Sequence, residues 1–297
     1  MKYGRQLVMI GLAATFGSTI SIADEPLHIH WAVNTAPPFH VVSGPLQGEG
    51  ICDVLMDAVD ARLPDITTQR SILPQTRIRQ QFERDENRCF PCMIYRPHAA
   101  RNAVFTEPTH FYYPHGIITT AARAAEIRER FGDPVSLTRL LREGDYRYGY
   151  PSGRVYGELQ PVIDAVAPES YRIVHTGENA TMAILAMIKA GRIDFTIDYQ
   201  ILRTFDQYFS GNQLAFIEIE ETSGSHVLGA IGCTDNEWGR MVTERINQVL
   251  PEVRQDPEFL RVLNRWFEDK PEQAPYNELL KARVWEYPVS SHINDPH

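Results

Sequence analysis

The chain has 297 residues and a formal net charge of −9, with 43% hydrophobic and 10% aromatic residues. This composition is typical of a packed globular protein and excludes a disordered one. The acidic balance argues against a nucleic-acid partner, because contacts with phosphates need a basic face.

The N-terminus has the features of a secretory signal. Lys2 and Arg5 precede a short apolar run, and Ser21-Ile22-Ala23 offers small residues for cleavage. An uncleaved membrane anchor is the alternative, but it would need about 20 apolar residues. We therefore predict a signal peptide over Met1–Ala23 and a periplasmic mature protein. The residue directly after the cleavage site is Asp24 and not a cysteine, so we do not expect a lipoprotein.

Strands and helices alternate along the first part of the mature chain. Alternating apolar residues predict strands, and apolar residues at helical spacing predict the helices between them. The predicted elements are a strand over 27–33, a helix over 51–63, a strand over 66–73, a helix over 76–84 and a strand over 89–95. This order is typical of a parallel sheet with crossover helices.

The same pattern then restarts. Strands are predicted over 116–120, 146–150, 171–175, 193–197 and 227–232, with helices over 121–130, 136–142, 155–166, 179–190 and 236–268. We infer an α/β protein with two lobes. Residues 24–114 and 227–297 form one lobe and residues 115–226 the other, with crossings over 111–118 and 225–230.

Four cysteines remain after export: Cys52, Cys89, Cys92 and Cys233. An oxidising compartment favours disulfides, and four cysteines allow three pairings. Cys89 and Cys92 have the C-x-x-C spacing of redox motifs, but those motifs open a helix, whereas this pair begins a predicted strand. Cys89 begins that strand and Cys233 ends an antiparallel return strand. Both should lie at the floor of one lobe, so we predict the Cys89–Cys233 disulfide.

Ligands of open α/β sheets bind beyond the carboxyl ends of the strands. This rule selects the loops over 34–39, 95–101, 152–156 and 198–199. Arg96 and Arg101 lie in the second loop, and arginine makes bidentate contacts with carboxylates. The turn Pro151-Ser152-Gly153-Arg154 offers backbone amides at a helix N-terminus, which favour anions. A surface charge and an ordinary turn are the structural alternatives.

Two segments resemble hallmark sequences of family 3 of the periplasmic solute-binding proteins, the amino-acid-binding type. One is Arg101-Asn102-Ala103-Val104-Phe105-Thr106-Glu107-Pro108, and the other runs from Ala190 to Tyr199. Leu73-Pro74-x-x-Arg77 and Cys233-Thr234 resemble one branch of that family. The resemblance covers most of the mature chain. It implies the type II periplasmic-binding-protein fold, with two lobes that close on a small ligand about a two-crossing hinge.

The predicted ligand-binding residues come from both lobes. They are Phe39, Tyr95, Arg96, Arg101, Ser152, Gly153, Arg154, Asp198 and Tyr199. The resemblance implies that Arg101 holds the carboxylate of the ligand. The turn over 151–154 would contact the same ligand from the other lobe. Tyr199 stands where the family has its ammonium-binding aspartate, and Asp198 precedes that position by one residue.

We expect a monomeric binding protein with no cofactor and no metal. Its ligand would be a small carboxylate-bearing solute, amino-acid-like or an organic acid, and its partner a membrane permease of the ABC type or a sensor. The alternative is an enzyme on the same scaffold, dehydratase-like or lytic-transglycosylase-like, because such a cleft could position an acid. The candidate acids are Glu49, Glu107, Glu178 and Asp198. His28 and His30 share a strand face and could bind a metal, but an exposed strand explains them equally well.

Overall fold

The computed structural model of the protein describes residues 27–98, 100–166, 169–177, 179–211, 213–267 and 275–286. The predicted signal peptide, Met1–Ala23, lies outside the described residues. Within the described ranges, no helix is long and apolar enough to cross a membrane.

The strands of the described part form two sheets. The strands are β1 (His28–Val33), β2 (Thr67–Ile72), β3 (Cys89–Ile94), β4 (Ala103–Phe105), β5 (His110–Tyr112), β6 (Gly116–Thr120), β7 (Tyr148–Pro151), β8 (Arg172–His175), β9 (Phe195–Asp198), β10 (Leu214–Glu218) and β11 (Val227–Thr234). The first sheet has the order β2-β1-β3-β11-β4, with β5 also paired to β11, and the second has the order β10-β6-β9-β7-β8.

The helices cover both sheets. They are α1 (Ile51–Asp60), α2 (Gln75–Glu83), α3 (Ala121–Phe131), α4 (Leu137–Glu143), α5 (Gln160–Val166), α6 (Ala180–Lys189), α7 (Gln200–Ser210), α8 (Glu237–Val253), α9 (Pro257–Phe267) and α10 (Tyr276–Leu280). Short 3₁₀ helices lie at Gly157–Leu159, Glu169–Tyr171 and Glu220–Thr222, and a π-helical turn lies at Lys281–Trp285.

The two sheets give the protein two α/β lobes, as the sequence predicts. In the first lobe β1 runs parallel to β2 and β3, because α1 and α2 carry the chain back over the sheet between these strands. In the second lobe β7 runs parallel to β8 and β9. The exact residue limits of the lobes stay a prediction.

The chain crosses between the lobes twice. β5 leads out of the first lobe and β11 returns to it, and the two strands pair antiparallel from His110–Gly229 to Tyr112–Val227. Glycine at position 229 leaves room for its strand partner, because a Cβ atom there would lie 2.6 Å from Nε2 of His110. The paired strands form the two-crossing hinge.

Two disulfides fix the first lobe. Cys89 and Cys233 are register partners on β3 and β11 and are bonded, which is the pairing expected from the sequence. The second bond joins Cys52 on α1 to Cys92 on β3, across a Cα separation of 5.9 Å. Cys89 and Cys92 are therefore not bonded to each other, which argues against the C-x-x-C redox motif.

Three parts of the fold differ from the sequence prediction. Residues 200–218, for which the sequence predicts no element, contain α7 and β10. The predicted helical tail is two helices, because the chain turns at Arg254–Asp256 between α8 and α9. The helix predicted over 155–166 begins as a 3₁₀ turn at Gly157, and Pro161 lies in the first turn of α5, where its missing N–H costs no hydrogen bond.

Candidate ligand-binding site

A cavity of about 540 Å³ lies between the two lobes. Its wall includes the loops that follow β1, β3, β7, β8 and β9, together with residues from the start to the end of α2. These are carboxyl ends of strands, as the general rule for open α/β sheets predicts. Tyr112 and His115, from the first crossing between the lobes, complete the wall.

Six of the nine predicted ligand-binding residues line this cavity. They are Phe39, Arg96, Ser152, Gly153, Arg154 and Tyr199. The other three, Tyr95, Arg101 and Asp198, are not part of the cavity wall.

Arg101 is not placed as the resemblance implies. The chain turns tightly after β3, where the N–H of Ala100 donates to the carbonyl of Arg96 at 3.1 Å. Only Arg96, two residues after the strand, therefore lies at its carboxyl end, and the side chain of Arg101 is exposed outside the wall. Tyr95 also lies outside the wall. Its ring packs edge-on against Phe105, with the ring centroids 5.7 Å apart.

Asp198 contacts Arg154 instead of the cavity. Its Oδ1 accepts a short hydrogen bond from Nη2 of Arg154 and another from the N–H of Tyr199 at 2.8 Å. The Asp198 side chain is only 2% exposed, and burial raises its pKa, although Arg154 acts in the opposite direction. The carboxylate is therefore already matched by a cation, and Arg154 presents its remaining surface to the cavity.

Four aromatic rings form a column across the lobe boundary. Tyr199 stacks on His115, with centroids 4.0 Å apart, and on Tyr112, with centroids 5.0 Å apart. Phe39 meets both tyrosines edge-on. Cζ of Arg154 lies 5.6 Å from the Tyr199 ring centroid, within cation–π distance. The column joins both lobes and the hinge into one wall.

Three buried polar atoms on the cavity wall have no hydrogen-bond partner among the described residues. They are Oδ1 of Asn34, Nε2 of His115 and Oη of Tyr199. Burial and the nearby cations Arg154 and Arg96 lower the pKa of His115 well below its usual value, so the imidazole is neutral. Buried polar groups without a partner cost stability, and a bound polar ligand would satisfy them.

Arg96 is the cation of this cavity without an acidic partner in the described part of the chain. No described carboxylate lies within ion-pair distance of its guanidinium, whereas Arg154 is paired with Asp198. Arg96 belongs to the first lobe but approaches the second, because a Cβ atom on Gly157 would lie 2.7 Å from its Nη2. The lobes also meet where Cγ2 of Thr76 would lie 3.0 Å from a Cβ atom on Gly153.

The loop that carries Phe39 is held by the start of α1. The N–H groups of Ile51 and Cys52 donate to the carbonyls of Pro38 and Phe39 at 2.9 and 2.8 Å. Asp53 accepts hydrogen bonds from the His40 ring at 2.9 Å and from two backbone N–H groups. Burial alone would raise the pKa of Asp53, but these hydrogen bonds lower it, so the carboxylate stays ionised.

The turn after β7 already uses two of its backbone amides in hydrogen bonds within the protein. The N–H of Ser152 donates to the carbonyl of His175, and the N–H of Arg154 donates to that of Pro151. The helix that follows begins only at Gly157. Ser152, Gly153 and the Arg154 side chain line the cavity from this turn.

Three of the four candidate acids, Glu49, Glu107 and Asp198, do not line the cavity. Glu49 pairs with Arg265 at 2.8 Å and Glu107 with Arg254 at 3.2 Å, and neither lines the wall. Glu178 lies outside the described residues. In the described ranges, no three His, Cys, Asp or Glu side chains are grouped to hold a metal, and the rings of His28 and His30 pack edge-on.

Several residues of the wall are absent from the predicted ligand-binding set. His115 and Tyr112 lie in the segment predicted to cross between the lobes, and the rule that crossings pass the cleft could have identified them. Asn34 is the first residue after β1, inside a loop that the strand-end rule selected. The α2 residues, such as Thr76, gave no comparable signal.

No protein-family model and no curated protein matches the chain. Solved structures do match it in fold. A histidine kinase sensor domain with similarity to periplasmic binding proteins has a TM-score of 0.61 at 12% identity, covering 80% of this chain and 95% of its own. A substrate-binding protein of an ABC uptake transporter from Streptococcus pneumoniae, with bound histidine, has 0.61 at 11%, covering 82% and 93%. An ancestral amino acid-binding protein, a precursor of cyclohexadienyl dehydratase, has 0.61 at 12%, covering 81% and 96%. The chain therefore has the fold of the periplasmic substrate-binding proteins.

Proposed function

We propose that the protein is a periplasmic binding protein that closes on a small carboxylate-bearing solute, for ABC-type uptake or for sensing. The observation that carries this proposal is the unpaired Arg96 guanidinium, which lies in a cavity between two lobes. The structures similar in fold include transporter binding proteins and a kinase sensor domain, so the fold is compatible with both uptake and sensing. The partner would be a membrane permease or a sensor protein.

Arg96 is a partly buried cation with no acidic partner among the described residues. When the lobes close, Arg96 loses solvent while it faces Gly157 of the other lobe. An isolated cation is expensive to desolvate, and an anion in the cavity offsets that cost. A carboxylate suits the site because it accepts two parallel hydrogen bonds from one guanidinium group. Ligand binding then favours the closed state of the two lobes.

The test compares two arginines of the same loop. A thermal-shift screen of amino acids, organic acids and small peptides on the mature protein identifies a ligand, and calorimetry then measures its affinity. Arg96→Gln should weaken binding by about 2–5 kcal/mol, which is well over tenfold. Arg101→Gln is the matched control and should bind as the parent does. Parental affinity in Arg96→Gln would refute Arg96 as the anchor, and a screen whose hits are all cations or neutral sugars would refute the proposed function.

A further inference from the structure

The charged side chains of the cavity wall leave one uncompensated charge among the described residues. Four charged side chains line the wall: Arg79, Glu83, Arg96 and Arg154. Arg79 and Glu83 are paired with each other on α2 at 3.7 Å. Arg154 is paired with the buried Asp198. The remaining charge is that of Arg96, so the described wall carries one unmatched positive charge and no free carboxylate.

The rest of the wall is largely apolar. Its apolar side chains include Ile78, Phe82, Phe90, Met93 and Phe105. Apolar surface of this kind favours an apolar body on the ligand, because both surfaces are removed from water on binding. The unpartnered atoms of Asn34, His115 and Tyr199 are neutral; Oδ1 of Asn34 can accept from a ligand hydroxyl, and Oη of Tyr199 can donate to a carbonyl or accept from a hydroxyl.

We infer that the ligand is a monocarboxylate with an apolar body and without an ammonium group. This inference deepens the proposed function and rests on it. A zwitterionic amino acid would place its ammonium group in a cavity whose wall holds three guanidinium groups, two of which already have an acidic partner. The one buried carboxylate nearby, Asp198, is already engaged by Arg154. An ammonium group would therefore lose its hydration without gaining an opposite charge, whereas a deaminated acid avoids that loss.

The decisive experiment measures matched pairs of ligands on the mature protein. Each pair consists of an amino acid and the acid that lacks only its amino group: phenylalanine with 3-phenylpropanoate, leucine with 4-methylpentanoate, and tryptophan with indole-3-propanoate. We expect calorimetry to show at least tenfold tighter binding of the deaminated acid in the pair that fits best.

An amino acid that binds as tightly as its deaminated partner would overturn the inference while leaving the proposed function in place. If no pair binds and the hits are small polar anions, the apolar part of the inference is wrong. If no anion binds at all, the proposed function fails as well.

Two variants test the role of the Arg154–Asp198 pair directly. Arg154→Gln leaves the Asp198 carboxylate without its cation, so the preference for the deaminated acid should fall by at least tenfold. Arg154→Gln combined with Asp198→Asn removes both charges and should restore that preference. Equal ligand preference in all three proteins would show that the pair does not set selectivity.

A third variant covers the acid that the structure does not describe. Glu178 follows Gly177, which lines the cavity, in the sequence. Glu178→Gln should leave the preference for the deaminated acid unchanged. Tighter binding of phenylalanine in the parent that is lost in Glu178→Gln would overturn the inference and assign the ammonium group to Glu178.

Discussion

Nη2 of Arg96 lies so close to Gly157 that a Cβ atom on that glycine would be only 2.7 Å away. The two residues belong to different lobes, so their contact exists only while the lobes are close together. If residue 157 had a Cβ atom, a distance under 3.0 Å would force a neighbouring group to move. That group is the Arg96 guanidinium, the proposed anchor of the ligand. Gly157 therefore links lobe closure to the position of the Arg96 guanidinium.

Gly157→Ala should weaken ligand binding beyond its effect on stability. Gly157 has φ of 61°, a conformation that costs a residue with a side chain about 1–2 kcal/mol. The new methyl group would also displace Arg96, and we expect the affinity for the anion to fall by about tenfold or more. Calorimetry and thermal unfolding measure the two effects separately.

The control for this variant is Gly191→Ala. Gly191 has a similar φ of 68°, but nothing lies within 4 Å of the place its Cβ would occupy. Both variants should lose similar stability, and only Gly157→Ala should lose affinity. Equal affinities in the two variants would contradict a role for Gly157 in positioning Arg96.

The sequence was sufficient for the parallel core of each lobe and for the edge of the sheet where the cavity lies. Strands such as β1 and β9 have clear apolar patterns, and the position of a cleft at their carboxyl ends follows from topology alone. The choice between Arg96 and Arg101 was not predictable in the same way. Which arginine lines the cavity depends on a tight turn that the Ala100 amide closes. No local sequence pattern predicts this turn.

The partner of Arg154 was also beyond the sequence. Arg154 and Asp198 are 44 residues apart and meet only because β7 and β9 are neighbours in the second sheet. The strand-end rule placed Asp198 among the predicted ligand-binding residues, although it precedes the family's aspartate position by one residue. To predict an ion pair between distant residues, one must know the register of the strands that carry them. That register depends on the packing of the whole lobe.

The buried His110 should make stability depend on pH. Its ring is fully buried, its Nδ1 lies 2.7 Å from Oγ1 of Thr109, and burial lowers its pKa to about 3. The unfolded chain binds a proton near pH 6.5, so this contribution to stability is fully present above that pH and is lost as the pH falls towards 3. At pH 5 the expected loss relative to pH 7.5 is about 2 kcal/mol.

His110→Gln should remove that part of the pH dependence. Guanidinium denaturation at pH 7.5 and pH 5 gives the difference in unfolding free energy for each protein. The exposed His98 provides the control, and His98→Gln should keep the parental difference. His115 is also buried with a lowered pKa, so a smaller residual slope should remain in His110→Gln. An unchanged slope in that variant would show that His110 does not titrate on unfolding.

The two disulfides should contribute differently to stability and to binding. They close loops of 144 residues for Cys89–Cys233 and 40 residues for Cys52–Cys92. The chain-entropy model gives about 5 and about 4 kcal/mol, so replacing Cys89 and Cys233 with alanine should destabilise the protein more.

Cys92, however, lines the cavity, and its bond holds α1, whose first turn binds the carbonyl of Phe39. Replacing Cys52 and Cys92 with alanine should therefore lower ligand affinity as well as stability, whereas the Cys89 and Cys233 variant should keep its affinity while folded. Denaturation and calorimetry on the two double variants check this, and an affinity loss confined to the Cys89 and Cys233 variant would contradict it.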